Sequence, residues 1–183
     1  MIHSKDRSGW FGASDTARIM GSWETATFEK FWLEKLGLFR SGYESLAMKT
    51  GTYFEGKILD AIGVRRRDRQ IRITSLRLRV NLDGEDRIIH EVKTYRRELF
   101  SVTRPYWMQA QVEMFAAKKP LEIVAYRLSE EDYQNWLCPI DPDRLSRYPV
   151  AYDETWVEDR YLPRLRYLAD CLKKGVWPRE IPH

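Results

Sequence analysis

Residues 81–95 read NLDGEDRIIHEVKTY, a pattern typical of two short strands joined by a polar turn. Asp83 precedes the turn, and Glu91, Val92 and Lys93 follow it on an apolar strand. Successive side chains of a strand point to opposite faces of its sheet, so Glu91 and Lys93 share one face while Val92 enters the core. The stretch therefore predicts a hairpin that brings two carboxylates and a lysine together.

Such a hairpin is suited to a metal ion, because hard divalent cations prefer oxygen ligands. Asp83 and Glu91 can oppose each other only if an odd number of residues separates the two strands. A two-residue turn at Asp86 and Arg87 would place the carboxylates on opposite faces. We therefore predict an odd-numbered or bulged loop centred near Arg87. The alternative is a surface hairpin of alternating charge, in which Asp83-Gly84 is a common turn dipeptide.

The segments before this hairpin have helical patterns. ASDTARIMG predicts a short helix, capped by Ser14 or Asp15 and ended by Gly21. TATFEKFWLEKLG predicts a second helix that ends at Gly37. Residues 43–62 predict a third helix. Its proposed buried stripe is Leu46, Tyr53, Phe54, Ile58 and Ile62.

The rest of the chain predicts an α/β (α+β) fold with a central mixed sheet flanked by helices. QIRITSLRLRVNLDG alternates as a strand pair, with a turn or bulge near Ser75 where the parity changes. RPYWMQAQVEMFAAKK predicts a helix and PLEIVAYRL a strand. Residues 153–175 predict a helical region of the same domain, kinked near Pro163. With 183 residues and no linker or repeat, we expect residues 1–183 to form one domain.

Composition and charge indicate the kind of partner that the protein binds. The net charge is +4 and the pI about 9.0, and basic residues concentrate at 65–73 and 93–99. These runs favour a polyanion partner, or they are solvated faces. The isolated Cys138 and Cys171, read as buried thiols, indicate a reducing, cytoplasmic location. The scattered histidines argue against a histidine zinc site, and no segment predicts a membrane span.

Residues 48–59, MKTGTYFEGKIL, contain the G-x-x-x-x-G-K spacing of a phosphate-binding loop. Ile58 stands where that loop needs Ser or Thr for Mg²⁺, and no apolar strand precedes Gly51. We instead read the stretch as a helix whose Phe54 and Ile58 anchor it and fix the direction of Glu55.

These motifs together resemble a known family. The D-G and E-V-K elements resemble the PD-(D/E)XK nuclease signature, with NLD replacing the usual Pro-Asp. FGASDTARIMG, GTYFE and AQVEMF are similar, in order, to motifs of the phage lambda exonuclease and YqaJ-type viral recombinase family. The resemblance covers roughly residues 7–126 and implies a restriction-endonuclease-like core.

The resemblance also implies roles for individual residues. Asp83, Glu91 and the Val92 carbonyl would hold the metal, and Lys93 would be the catalytic lysine. Glu55 would assist the metal site from its helix, and Gln111 would lie beside it. The residues implied or suited to bind DNA are Arg7 and Ser14 for a terminal 5′-phosphate, and Arg96, Arg97 and Arg104 for the backbone.

The resulting hypothesis is a DNA exonuclease that uses one or two Mg²⁺ or Mn²⁺ ions and degrades duplex ends, 5′ to 3′ by resemblance. Resemblance further implies phage-type recombination in a bacterial host, with a single-strand annealing protein as partner and a trimeric ring as assembly. The alternatives are an endonuclease, a Cas4-like nuclease, or a DNA-binding module that does not cleave. The isolated cysteines argue against the Cas4-like iron–sulfur cluster. Four aromatic residues are interface anchors or core: Trp107, Phe115, Trp136 and Trp156.

Overall fold

A five-stranded mixed sheet forms the centre of the structure, a computed structural model that describes residues 7–39 and 45–179. The strands lie in chain order across the sheet. Only β3 and β4 are parallel, and the other neighbouring strands are antiparallel. The strands are β1 (Arg66–Ile73), β2 (Leu78–Glu85), β3 (Ile89–Tyr95), β4 (Leu121–Arg127) and β5 (Leu145–Val150). The predicted mixed sheet with flanking helices is confirmed.

The turn predicted near Ser75 is present between β1 and β2. A 3₁₀ turn spans Thr74–Leu76, and Arg77 follows with a left-handed φ of 49°. The turn shifts the parity of the apolar positions from odd to even, as the sequence pattern required. β1 begins at Arg66, so the basic run is largely an edge strand rather than a loop.

The loop between β2 and β3 has three residues, 86–88, and is centred on Arg87. Glu85 pairs with Ile89 and Gly84 with His90, so the predicted odd-numbered loop is confirmed. Gly84 lies inside β2 rather than in the turn. A Cβ atom at this position would lie 2.6 Å from Leu59 Cδ2. Close packing therefore requires glycine at position 84, and the turn-dipeptide alternative is wrong.

Helices cover both faces of the sheet. They are α1 (Thr16–Met20), α2 (Ala26–Lys35), α3 (Leu46–Ala61), α4 (Arg104–Ala117), α5 (Glu130–Gln134), α6 (Glu154–Trp156) and α7 (Leu162–Lys174). Ile123 packs in the core with α1, α2, α4 and α7, whereas Val124 packs in the core with α3. Because neighbouring strand residues face opposite ways, these two cores lie on opposite sides of the sheet. None of the helices in the described ranges is long and apolar enough to cross a membrane.

Helix α3 contains the stretch that resembled a phosphate-binding loop. It is helical throughout, and Lys57 Nζ donates hydrogen bonds to the Trp136 and Cys138 carbonyls. Phe54 and Ile58 are fully buried, as predicted. Leu46 and Tyr53 were expected in the buried stripe but are exposed. Leu46 lies in the first turn of the helix, and the Tyr53 ring packs sideways against Trp136, 5.3 Å between centroids. Tyr43, predicted as the helix start, lies outside the described residues.

Asp15 and Gly21 lie at the predicted N-cap and C-cap positions of the first helix, but the expected capping hydrogen bond is absent. α1 starts at Thr16, and neither Ser14 nor Asp15 accepts a capping bond from its N–H groups. The buried Asp15 carboxylate instead accepts from Lys35 Nζ at 2.6 Å and from the Gly12 N–H at 2.8 Å. Buried charges in proteins are normally paired, and Lys35 supplies the partner of Asp15.

The C-terminal helical region begins at Glu154 and ends at Lys174. A π-helical segment, Val157–Tyr161, lies directly before Pro163, which occupies the first turn of α7. The helical hydrogen-bond pattern is thus irregular just before Pro163, the position at which the sequence predicted a kink. Val157, Tyr161 and Leu165 are fully buried in the same core as α1, α2 and α4.

Candidate active site

The site forms where the β2 and β3 ladder ends. The last backbone pair is Gly84 with His90. One residue further on, Asp83 Oδ2 accepts a hydrogen bond from the Val92 N–H at 2.9 Å. The aspartate side chain thus receives an N–H that faces β2, which fixes its carboxylate against the backbone of β3.

Glu91 and Lys93 lie together on the α4 side of β3. Lys93 Nζ donates to Glu91 Oε1 at 2.6 Å, and it lies 5.0 Å from the centre of the Tyr106 ring. Val92, between them, packs under α3 in the opposite core. This arrangement follows from strand alternation, as the sequence predicted.

Helix α4 adds two residues that the sequence did not predict. Gln109 Nε2 donates to Glu91 Oε1 at 2.6 Å and to Glu113 Oε1 at 2.8 Å. Gln109 Oε1 accepts from Lys93 Nζ at 3.2 Å. We call Asp83, Glu91, Lys93, Gln109 and Glu113 the acidic site. Gln109 and Glu113 are four residues apart, which is the helical spacing that places two side chains on one face.

Gln111 is not part of the acidic site, contrary to the sequence prediction. It lies two residues, or about 200° of helix rotation, from both Gln109 and Glu113. Its Nε2 donates to the Ala151 carbonyl at 2.9 Å, and its Oε1 accepts from the Asp153 N–H at 2.7 Å. Gln111 therefore ties α4 to the segment that precedes α6.

Glu55 lies near the acidic site on α3 and is half-buried. Burial and the charges of Glu91 and Asp68 raise the pKa of Glu55 to about 7. Asp68 has a left-handed φ of 54°, and its neighbours Arg67 and Arg69 pair with Gly84 and Leu82 of β2. This register places Asp68 beside Asp83, a position that the sequence pattern did not indicate.

Negative charge dominates the electrostatics of the acidic site. Burial and the charges of Glu91 and Glu55 raise the pKa of Asp83 well above its usual range. Burial and the charges of Glu91 and Asp83 do the same to the pKa of Glu113. Burial opposes the charge of Lys93, but the Glu91 carboxylate raises the lysine pKa above its ordinary value. One lysine cannot neutralise this many carboxylates, so the site favours an added cation.

The donors of the acidic site suit a hard divalent cation. Glu91 Oε2 and Glu113 Oε2 are buried oxygens without a hydrogen-bond partner in the described structure. As the side chains stand, no group of three or more His, Cys, Asp or Glu residues within 7–39 and 45–179 is arranged to hold a metal ion. Lys93 Nζ and Gln109 Nε2 both bind Glu91 Oε1 in this arrangement. The residues therefore fit a metal in their chemistry, through carboxylate oxygens that the protein leaves unpaired.

A cavity of about 200 Å³ leads from the acidic site to Arg7 and Ser14. Arg7 Nη2 donates to Ser14 Oγ at 2.8 Å and to Asp15 Oδ1 at 3.2 Å. Although burial raises the pKa of Asp15, the Lys35 and Arg7 charges lower it below its ordinary value. The structure thus brings Arg7 and Ser14 together at the same cavity as Asp83. The other residues lining it are Trp10, Gly12, Ala13, Lys35, Arg79, Asn81, Gln109 and Glu113.

The three arginines proposed to hold the DNA backbone do not line this cavity. Arg96 pairs with Glu130 and lies 4.9 Å from the Tyr133 ring centre. Arg97 is exposed, and the Arg104 guanidinium lies 4.0 Å from the centre of the Trp107 ring. The four aromatic residues considered as interface anchors are all half-buried. Cys138 was expected to be buried but is half-buried.

The basic run at 65–73 is partly neutralised within the chain. Arg66 and Arg69 both pair with the buried Glu85, and Arg67 pairs with Asp60. This edge strand is therefore less basic than its sequence indicates.

The fold and the acidic site define a class: a mixed α/β protein with carboxylates and a lysine on adjacent central strands. No protein-family model matches the sequence, and no curated protein sequence matches it. Solved structures do match. The alkaline exonuclease LHK-Exo from Laribacter hongkongensis is 17% identical, with a TM-score of 0.61 over 92% of this chain and 94% of that one.

Two further solved structures have a similar fold. LHK-Exo in complex with dAMP is 15% identical, with a TM-score of 0.65 over 92% of this chain and 90% of that one. A phage-related exonuclease from Haemophilus somnus 129PT is 12% identical, with a TM-score of 0.68 over 91% of this chain and 96% of that one. At these identities the likeness establishes that this chain has the fold of those exonucleases.

Proposed function

We propose that the protein is a metal-dependent deoxyribonuclease that removes nucleotides from the ends of duplex DNA. The observation that supports this most is that Asp83, Glu91 and Lys93 are held on adjacent strands, and that Asp83 lines the same cavity as Arg7 and Ser14. The shared fold with exonucleases supports the same class of reaction.

In this proposal Asp83, Glu91 and the Val92 carbonyl hold the divalent cation, with Glu55 assisting from α3. When bound, the cation neutralises the non-bridging oxygens of the phosphodiester and activates a water for attack. The Asp83 side chain is kept in place by the Val92 N–H. This hydrogen bond orients the carboxylate before any ligand arrives, which lowers the cost of assembling the site.

Lys93 adds a fixed positive charge beside that cation position. Its ammonium group donates to Glu91 and Gln109, which uses two of its three N–H bonds. The third N–H is proposed to orient the attacking water or to donate to a phosphate oxygen. Such a preorganised donor stabilises the charge that develops in the transition state.

Arg7 and Ser14 support action at ends rather than within a strand. A guanidinium and a hydroxyl 2.8 Å apart form a suitable pair for a terminal phosphate. Since they line the same cavity as Asp83, a 5′-terminal nucleotide can lie between them. We therefore propose a 5′ to 3′ direction, Mg²⁺ as the metal, a role in phage-type recombination beside an annealing protein, and a trimeric ring as the assembly.

The proposal is tested with 5′-phosphorylated linear duplex and closed circular DNA, each incubated with Mg²⁺. Wild-type protein should release nucleotides from the linear duplex alone, and Lys93→Ala should abolish the release. Lys174→Ala, which removes an exposed lysine on the C-terminal helix, is the control and should retain it. Duplexes labelled at the 5′ or the 3′ terminus show the direction of degradation, because the terminus that is attacked releases its label first.

The alternatives predict different results in the same assay. Cutting of the closed circle would indicate an endonuclease. DNA binding without cleavage of either substrate would indicate a module that does not cleave. Either result would overturn the proposed exonuclease.

A further inference from the structure

Glu113 is buried in the middle of α4, and no basic side chain of the described residues forms an ion pair with it. Its side chain is fully inaccessible, Oε1 accepts from Gln109, and Oε2 has no hydrogen-bond partner in the described structure. Burying a carboxylate without neutralising it is costly, and native proteins pair such groups or bind metals with them. The residue therefore needs an explanation beyond packing.

The other buried carboxylates of the described chain do have cations. Six Asp and Glu side chains are buried in residues 7–39 and 45–179, and five of them contact a basic side chain within 3 Å. The five pairs are Asp15–Lys35, Glu85–Lys119, Glu91–Lys93, Glu122–Arg147 and Asp132–Arg144. Glu113 contacts only the neutral amide of Gln109 among the hydrogen bonds of this region.

Glu113 is connected to Glu91 through Gln109. The Gln109 amide nitrogen binds Glu91 and Glu113 at the same time, which keeps their carboxylates adjacent. Glu91 Oε2 is also buried and unpaired. Glu113 and Asp83 line the same cavity, together with the Gln109 that connects Glu113 to Glu91.

We propose that Glu113 is an additional ligand of the divalent cation site, and that Gln109 positions it against Glu91. The inference rests on the proposed metal-dependent function and adds one carboxylate, on α4, to the ligands supplied by the sheet and α3. A hard cation such as Mg²⁺ or Mn²⁺ would satisfy the oxygens that the protein leaves unpaired.

The test is Mn²⁺ binding by isothermal titration calorimetry with the full-length protein. Glu113→Gln keeps the size of the side chain and its acceptor for Gln109, but removes the charged oxygen. We expect the Mn²⁺ affinity to fall at least tenfold, the lower limit of the effect of altering groups around a metal. At saturating Mn²⁺ this loss equals about 1.4 kcal/mol less stabilisation by the ion, which appears as a smaller Mn²⁺-induced rise in Tm.

Two variants serve as controls. Asp132→Asn removes another fully buried carboxylate, paired with Arg144 away from the site. It should lower Tm equally with and without Mn²⁺, and leave the affinity unchanged. Asp83→Asn should abolish Mn²⁺ binding. If Glu113→Gln does not fold, Glu113→Met fills the same space without oxygens and is judged by the same measurements.

The outcomes separate the inference from the proposed function. Unchanged Mn²⁺ affinity in Glu113→Gln, with binding lost in Asp83→Asn, would overturn the role of Glu113 and leave the metal-dependent function standing. Absence of Mn²⁺ binding by the wild-type protein would overturn both.

Discussion

Gly84→Ala perturbs the contact that allows β2 to pass close under α3, one residue from Asp83. The added Cβ would lie 2.6 Å from Leu59 Cδ2 and 2.9 Å from Val64 Cγ1. Carbon atoms in contact prefer about 3.5–4.0 Å, so both side chains must move by roughly 1 Å. Leu59 and Val64 are buried, and neither is the free end of a flexible surface chain.

The expected cost of Gly84→Ala is that of an overpacked core, about 1–3 kcal/mol of the free energy of unfolding. Leu59→Ala alone should cost about 2–5 kcal/mol, because it leaves a cavity. In the double variant the new methyl group occupies part of that cavity. The combined loss should therefore be smaller than the sum of the two single losses by at least about 0.5 kcal/mol.

Urea unfolding followed by circular dichroism measures all four free energies of this cycle. The double variant also keeps the Val64 contact, so partial rather than full relief is expected. A Gly84→Ala protein within about 0.5 kcal/mol of wild type, the usual range for harmless substitutions, would refute the close packing of α3 on β2.

Three other perturbations test separate parts of the structure. Folding holds the pKa of Asp15 below its unfolded value of about 3.9, so the carboxylate stabilises the fold above that pH, and this stabilisation is lost as the pH falls through the folded-state pKa. Urea unfolding from pH 7 to 2 should show this loss in wild type but not in Asp15→Asn. That variant should be about 3–5 kcal/mol less stable at pH 7, because Lys35 stays buried and unpaired. Gln111→Leu leaves the Ala151 carbonyl and the Asp153 N–H without partners and should lower the free energy of unfolding by about 1–3 kcal/mol. Cleavage per folded molecule should stay at the wild-type rate. A loss of cleavage as large as that of Lys93→Ala would contradict a purely structural role for Gln111. Arg7→Gln should reduce the ratio of kcat/KM for 5′-phosphorylated ends to kcat/KM for 5′-hydroxyl ends about tenfold. Arg97→Gln, which alters an exposed arginine, is the control. An unchanged ratio in Arg7→Gln would mean that the terminal phosphate binds elsewhere.

The hairpin could be predicted from sequence because its constraints are local. The parity of Asp83 and Glu91 required an odd loop, and strand alternation placed Glu91 and Lys93 on one face. Both deductions depend only on a period of two and a short connection. The register of Gly84 with His90 agrees with them.

The α4 part of the site could not be predicted in the same way. Gln111 was chosen from a motif, yet Gln109 and Glu113 face the carboxylates. The centre of α4 is buried on almost every side, from Ala110 to Met114. A helix without a polar face gives no periodicity from which its rotation can be read, so the packing of neighbouring elements decides it.

Long-range pairing limited the prediction elsewhere. Asp15 was expected to cap a helix, but its partner Lys35 lies twenty residues away on α2. Tyr53 was expected in the core, but it packs against Trp136, far along the chain. Such contacts depend on the assembled fold, whereas local spacing fixes only which residues share a face.

The central claim is that the Asp83, Glu91 and Lys93 arrangement cleaves DNA from duplex ends. The most direct measurement is nucleotide release from a 5′-phosphorylated linear duplex in Mg²⁺, compared between wild type, Lys93→Ala and the Lys174→Ala control. Wild type and the control should release nucleotides, and Lys93→Ala should not. Equal release by Lys93→Ala and wild type would show that this arrangement is not the catalytic site.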